Sequence, residues 1–201
     1  MGPGHARRAV LPCGNAMVCA AQGLVTQVGR NTMKNNALHF RLRYLRNAEA
    51  VLALALPGAL AWHWWRSGAA IDWALRLPPA VLVGLMLLQG AHYWHLKLVS
   101  MQSHEPLPAY FRPLYRSFRT ADLIALIGMT IWLAVMALRG ASGADLAWAA
   151  VILAFAILEF ANYFGLQLMH DTGADFDYLR RHRRLRRAAL ATDLGRRQGR
   201  T

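Results

Sequence analysis

The sequence predicts an all-α, polytopic membrane protein: four transmembrane helices arranged as two tandem similar helical hairpins, with both termini cytoplasmic. Three observations predict it. Four apolar stretches have span length, basic residues are shared unevenly among the segments that join them, and the second pair of stretches resembles the first. The chain is 56% hydrophobic and only 16% charged, yet its formal net charge is +13. A soluble domain carries roughly a quarter charged residues, and a disordered basic tail is poor in Leu, Ile, Val and Phe. Neither class fits.

Residues 1–46 are predicted to form a leader followed by a basic cytoplasmic arm. Arg7 and Arg8 precede a weak apolar run broken by Pro12, Gly14 and Asn15, with no small-x-small cleavage site and no lipobox. Residues 1–32 therefore read as a disordered leader, or as translation begun too early with Met33 opening the protein, rather than as a signal peptide. Cys13 and Cys19, both in this segment, support neither a disulfide framework nor a zinc site.

The first hairpin occupies 47–99 and the second 121–169. Their spans, at 47–66, 78–99, 121–139 and 145–168, each approach the roughly 20 residues with which a helix crosses about 30 Å of hydrocarbon. Pro57-Gly58 predicts a kink in the first span, tolerable where a neighbouring helix shelters the freed carbonyl. Pro78-Pro79 is placed in the first turn of the second helix, where proline does least harm.

Orientation follows from Lys and Arg, which are retained on the cytoplasmic side near span ends. Seven basic residues lie in the N-terminal arm, four between Lys97 and Arg119 and nine in the tail, against three in the remaining loops (Arg66, Arg76, Arg139). Trp62, Trp64, Trp65, Trp73 and Trp148 are then expected at the outer interface as an aromatic belt. Arg and Ala are abundant while Lys34 and Lys97 are the sole lysines, a composition that points to a GC-rich bacterial genome and hence to a bacterial inner membrane.

Residues 100–120 are expected to be a cytoplasmic interfacial loop in which Arg112, Arg116 and Arg119 interleave with Tyr110, Phe111, Tyr115 and Phe118. The tail, 170–201, carries Arg180, Arg181, Arg183, Arg184, Arg186 and Arg187. Beginning just after a span, it suits anionic lipid headgroups better than nucleic acid, at about 1 kcal/mol per basic residue near the membrane. A plain solvated charged face is the simpler alternative.

The repeat is read from polar coincidences. Gln89 aligns with Glu159, His92 with Asn162, Tyr93 with Tyr163 and Lys97 with Gln167; upstream, with a shift of three, Glu49 aligns with Asp122, Arg66 with Arg139 and Asp72 with Asp145. Hairpins with an even number of spans run in the same sense, about an axis along the membrane normal. Glu159, Tyr163 and Gln167 share one face of the fourth span with Asn162 alongside, and Gln89, Tyr93 and Lys97 share one face of the second with His92 alongside. These faces are expected to meet in the cytoplasmic half of the bilayer.

Glu159 lies about nine residues, or roughly 13 Å at 1.5 Å per residue, inside its helix. An ionised group costs about 2.5 to 3.5 kcal/mol at the centre of a span, so Glu159 needs a proton, a hydrogen bond from Gln89 or His92, or Lys97 as partner. Such a cluster serves either an ion or proton site or interhelical polar contacts that fix register. A haem does not fit His63 and His92, which fall at different depths, and no spacing among His92, Glu159 and His170 matches a metal-ligand signature, so neither cofactor nor metal is expected. Phosphate-binding loops and nucleophile motifs are absent, which argues against an enzyme. Two functions remain: an ion or small-solute permeation unit, acting as a homo-oligomer because four helices enclose little room, and a scaffold that docks partners or anionic lipids through its basic loop and tail.

Overall fold

A computed structural model of the chain describes residues 36–68, 70–166, 180–181, 183 and 185–195, and the helical backbone of 16–35. Two compact units are present, Met1–Arg41 and Leu42–Thr201. The first contributes the N-terminal part of a helix; everything described below belongs to the second.

Five helices are described: α1 Ala16–Arg66, α2 Trp73–Ser103, α3 Phe111–Leu138, α4 Gly143–Phe164 and α5 Ala189–Gly195. No strand occurs among the described residues, where Leu166 and Arg187 form an isolated antiparallel bridge. α2, α3 and α4 are long and apolar enough to cross a membrane. The fourth expected span, 47–66, is helical within α1, but Asn47, Glu49, His63 and Arg66 dilute its apolar character.

Each boundary has a local cause. Asp72 caps α2 by accepting from Ala74 N at 3.0 Å, which starts that helix a turn earlier than expected and places Pro78 and Pro79 in its second turn. α3 ends in a Schellman turn: Ala141 N donates to Met136 O, Gly140 N donates to Ala137 O, and Gly140 takes φ +79°. The connection between α2 and α3 is only 104–110, because the segment read as a loop is helical at both ends. The aromatic and basic residues of 111–119 therefore occupy adjacent sides of a helix. Phe111 and Tyr115 are buried, while Arg116 and Arg119 are exposed.

α4 packs most extensively on α2 and next on α3. Their shared core is apolar: Val83, Met86 and Leu87 of α2 meet Leu126 and Leu133 of α3 and Ile152, Leu153 and Ala156 of α4. The opposite faces expose Leu123, Ile124, Ile127 and Ile131 of α3 and Val151, Ile157 and Leu158 of α4. So much contiguous apolar surface is suited to hydrocarbon rather than water.

α1 meets α2 at the proline. Pro57 has no N–H for Ala53 O, and that freed carbonyl turns onto Gly84, where an added Cβ would lie 2.7 Å from the oxygen and 3.1 Å from Pro57 Cγ. The helix continues through Pro57. The sheltering neighbour expected from sequence is the backbone of Gly84.

At one end of the bundle, Arg76 Nε pairs with Asp145 Oδ1 at 2.6 Å, with both side chains buried. Its guanidinium lies 5.5 Å from the Trp64 ring centroid and 6.0 Å from that of Trp148. The five tryptophans of the expected belt differ in exposure. Trp62, Trp65 and Trp73 are exposed, but Trp64 is 1% exposed and Trp148 is half-buried, because an arginine drawn into a helix end needs aromatic faces around it.

Candidate functional site

At the other end of α2, polar side chains from five helices converge. Gln89 Nε2 donates to Asp122 Oδ1 of α3 at 3.0 Å, and Tyr115 OH donates to Gln89 O at 2.9 Å. His92 Nδ1 lies 3.1 Å from the same hydroxyl. Since the phenolic proton is directed to Gln89 O, His92 Nδ1 is the donor in that contact. The two rings stack with their planes 9° apart.

One turn onward, Lys97 Nζ donates to Tyr93 OH at 3.0 Å and pairs with Asp193 Oδ2 at 2.5 Å, while Tyr93 OH donates to the same carboxylate oxygen at 2.7 Å. Asp193 belongs to α5. The C-terminal segment is returned to α4 by Ala188 N donating to Gly165 O, and it buries Ala188, Leu190 and Ala191. The triangle thus fastens the tail to α2.

Glu49 of α1 accepts from Trp94 Nε1 at 2.9 Å. Its other oxygen and Tyr163 OH of α4 both occupy the space that a side chain at position 90 would fill, so the three helices converge there because residue 90 is glycine. Glu49 Oε2, Tyr163 OH and Asp122 Oδ2 are buried without a hydrogen-bond partner of good geometry among the described residues. Glu159 is half-buried, hydrogen-bonded to Asn162 and near enough to Glu49 for the carboxylates to repel.

The polar residues of α2 and α4 take different partners from those the sequence suggested. Gln89 engages Asp122, His92 engages Tyr115 and Lys97 engages Asp193, leaving Asn162 as the neighbour of Glu159. The central acid is Glu49. In the sequence it aligns with Asp122 in the expected repeat and stands near the start of the first expected span. Gln167 and His170 lie outside the described residues.

The basic surface is divided between α3 and the tail. Arg112 is half-buried; Arg116, Arg119, Arg180, Arg181, Arg183, Arg186 and Arg187 are exposed, and Arg184 lies outside the described residues. Between the Arg76–Asp145 pair and the Gln89 network, the α2 core face is wholly apolar, through Ala80, Val83, Met86 and Leu87.

Among the described residues, no three His, Cys, Asp or Glu side chains are gathered as a metal site. What the cluster offers is hydrogen-bonding and proton-accepting capacity in an apolar setting. Comparison of the chain with protein-family models, with curated proteins and with solved structures finds no match.

Proposed function

We propose that the chain is a four-span integral protein of a bacterial inner membrane, built of two tandem hairpins with both termini cytoplasmic, which docks anionic phospholipid surfaces through its basic face. The observation that carries this reading is the charge asymmetry. Twenty of the twenty-three basic residues fall in the arm, the Lys97 to Arg119 segment and the tail, and Arg116 and Arg119 of α3 are exposed while Phe111 and Tyr115 are buried. Near an anionic leaflet each contributes about 1 kcal/mol, so several together hold a surface firmly.

Tethering tests it. Neutral-lipid proteoliposomes carrying the full chain are expected to bind phosphatidylglycerol vesicles at low salt and to release them as ionic strength rises and the Debye length shortens. Arg116→Gln with Arg119→Gln, or deletion of residues 175–201, is expected to reduce tethering at least roughly tenfold. Unchanged tethering in both would refute the reading.

The permeation reading has its own support in the approach of Glu49 and Glu159 within the bundle, with Asp122 held nearby on Gln89 of α2. On that reading the path is formed in a homo-oligomer, since the α2 core face between the Arg76–Asp145 pair and the Gln89 network is apolar among the described residues. It fails if Glu49→Gln and Glu159→Gln both leave ion flux into proteoliposomes unchanged.

A further inference from the structure

We infer that the cavity between the end of α2, the 104–110 connection and α5 holds the phosphate headgroup of one anionic phospholipid. The inference rests on the membrane-surface reading above and gives that surface a stoichiometric site. The cavity measures about 360 Å³, which suits a headgroup and its glycerol rather than a whole lipid. Its walls divide chemically. Met101, Leu107, Pro108 and Phe111 offer apolar surface, while Lys97 and Arg112 bring positive charge.

Asp193 also lines the cavity, and its charge opposes an anion. That carboxylate is already engaged by Lys97 Nζ and Tyr93 OH. Arg112 has no ion-pair partner among the described residues, so the described lining has one cation in excess. A guanidinium offers a fork of N–H donors matched to phosphate oxygens. The first turn of α3, where Tyr110 provides no side-chain cap, borders the same space and adds the positive end of a 28-residue helix. An apolar wall beside a single excess cation, at the end of a span-length helix, fits an amphiphile anchored in the membrane better than a free phosphate.

The test uses the full chain in a neutral detergent, with retained lipid counted by native mass spectrometry during titration. One phosphatidylglycerol per chain is expected to be held in preference to phosphatidylcholine. Arg112→Gln is expected to weaken it by about tenfold or more, whereas Arg119→Gln changes it by less than about twofold. Ala109→Phe, which keeps every charge and fills the cavity, is expected to displace the lipid as well, and an unchanged circular dichroism spectrum shows that each variant is folded. Equal losses in Arg112→Gln and Arg119→Gln would overturn the site while leaving diffuse docking intact. Retention in Ala109→Phe, equal retention of phosphatidylcholine, or displacement by soluble glycerol phosphate at the same concentration would each overturn it too. Failure of vesicle tethering alone, with one lipid still retained, would remove the docking reading and leave the cavity site.

Discussion

Gly84→Ala isolates the contact on which α1 and α2 depend. The new methyl carbon would lie 2.7 Å from Ala53 O and 3.1 Å from Pro57 Cγ, against the 3.4 Å or so at which ordinary contact begins. A backbone carbonyl cannot swing aside as a side-chain tip can, so α1 must retreat along its length or bend further at Pro57. Overpacking of this kind costs about 1 to 3 kcal/mol, and the middle of that range lowers Tm by roughly 4–8 °C in a chain of this size. Gly128→Ala is the control, because nothing lies within 4 Å of its added carbon. Helix preference alone then acts, favouring alanine by up to about 1 kcal/mol. The carbonyl is free because of Pro57, so in a Pro57→Ala background it is drawn back into its own helix and the penalty of Gly84→Ala falls below about 1 kcal/mol. Thermal unfolding in detergent, followed by helicity, reads all four variants. If Gly84→Ala melts with the unaltered chain, or Pro57→Ala does not soften its effect, the account of this crossing is wrong.

Asp193→Asn is expected to loosen α5 by weakening the contacts with Lys97 and Tyr93, at about 1 kcal/mol once the partial exposure of Lys97 is allowed for; limited trypsin digestion should then cut the arginine-rich tail several-fold faster. Arg76→Gln leaves Asp145 buried without its partner and is expected to cost about 3–5 kcal/mol, whereas Arg76→Met with Asp145→Leu recovers most of that loss; Tm values of the single and double variants check it. Glu49→Gln keeps an acceptor for Trp94 Nε1 and should melt within about 1 kcal/mol of the unaltered chain, while Glu49→Ala, which strands that donor, is expected to cost about 1–3 kcal/mol.

The apolar stretches were legible because lipid imposes length and composition together, and three of them became α2, α3 and α4 within a few residues at most ends. Among these three, the start of α3 was the largest difference. Its first turns alternate aromatic and basic residues, a pattern that signals amphipathicity equally for a helix and for an interfacial loop. Gln89, His92, Tyr93, Lys97 and Tyr163 were legible as a polar face, since helical spacing sets which side chains share a side. Their partners were not. Asp193 approaches Lys97 only because the tail folds back, and position 90 matters only because helices cross there. Arg76 looked like a loop charge because α2 begins earlier than hydropathy alone implies, and Asp145 stood at the first residue of its expected span. Long-range pairing leaves no periodic trace in a single chain.

The proposed docking function requires the basic face to lie on the cytoplasmic side, and labelling with a membrane-impermeant maleimide tests that most directly. In a chain with Cys13→Ser and Cys19→Ser, Ser142→Cys lies between α3 and α4 and Ser103→Cys lies at the end of α2, with α3 alone between them. On intact spheroplasts Ser142→Cys is expected to react at once, and Ser103→Cys only after the membrane is opened. The reverse pattern would invert the orientation and move the arginines away from the anionic inner leaflet, and reaction of both from outside would show that α3 does not cross.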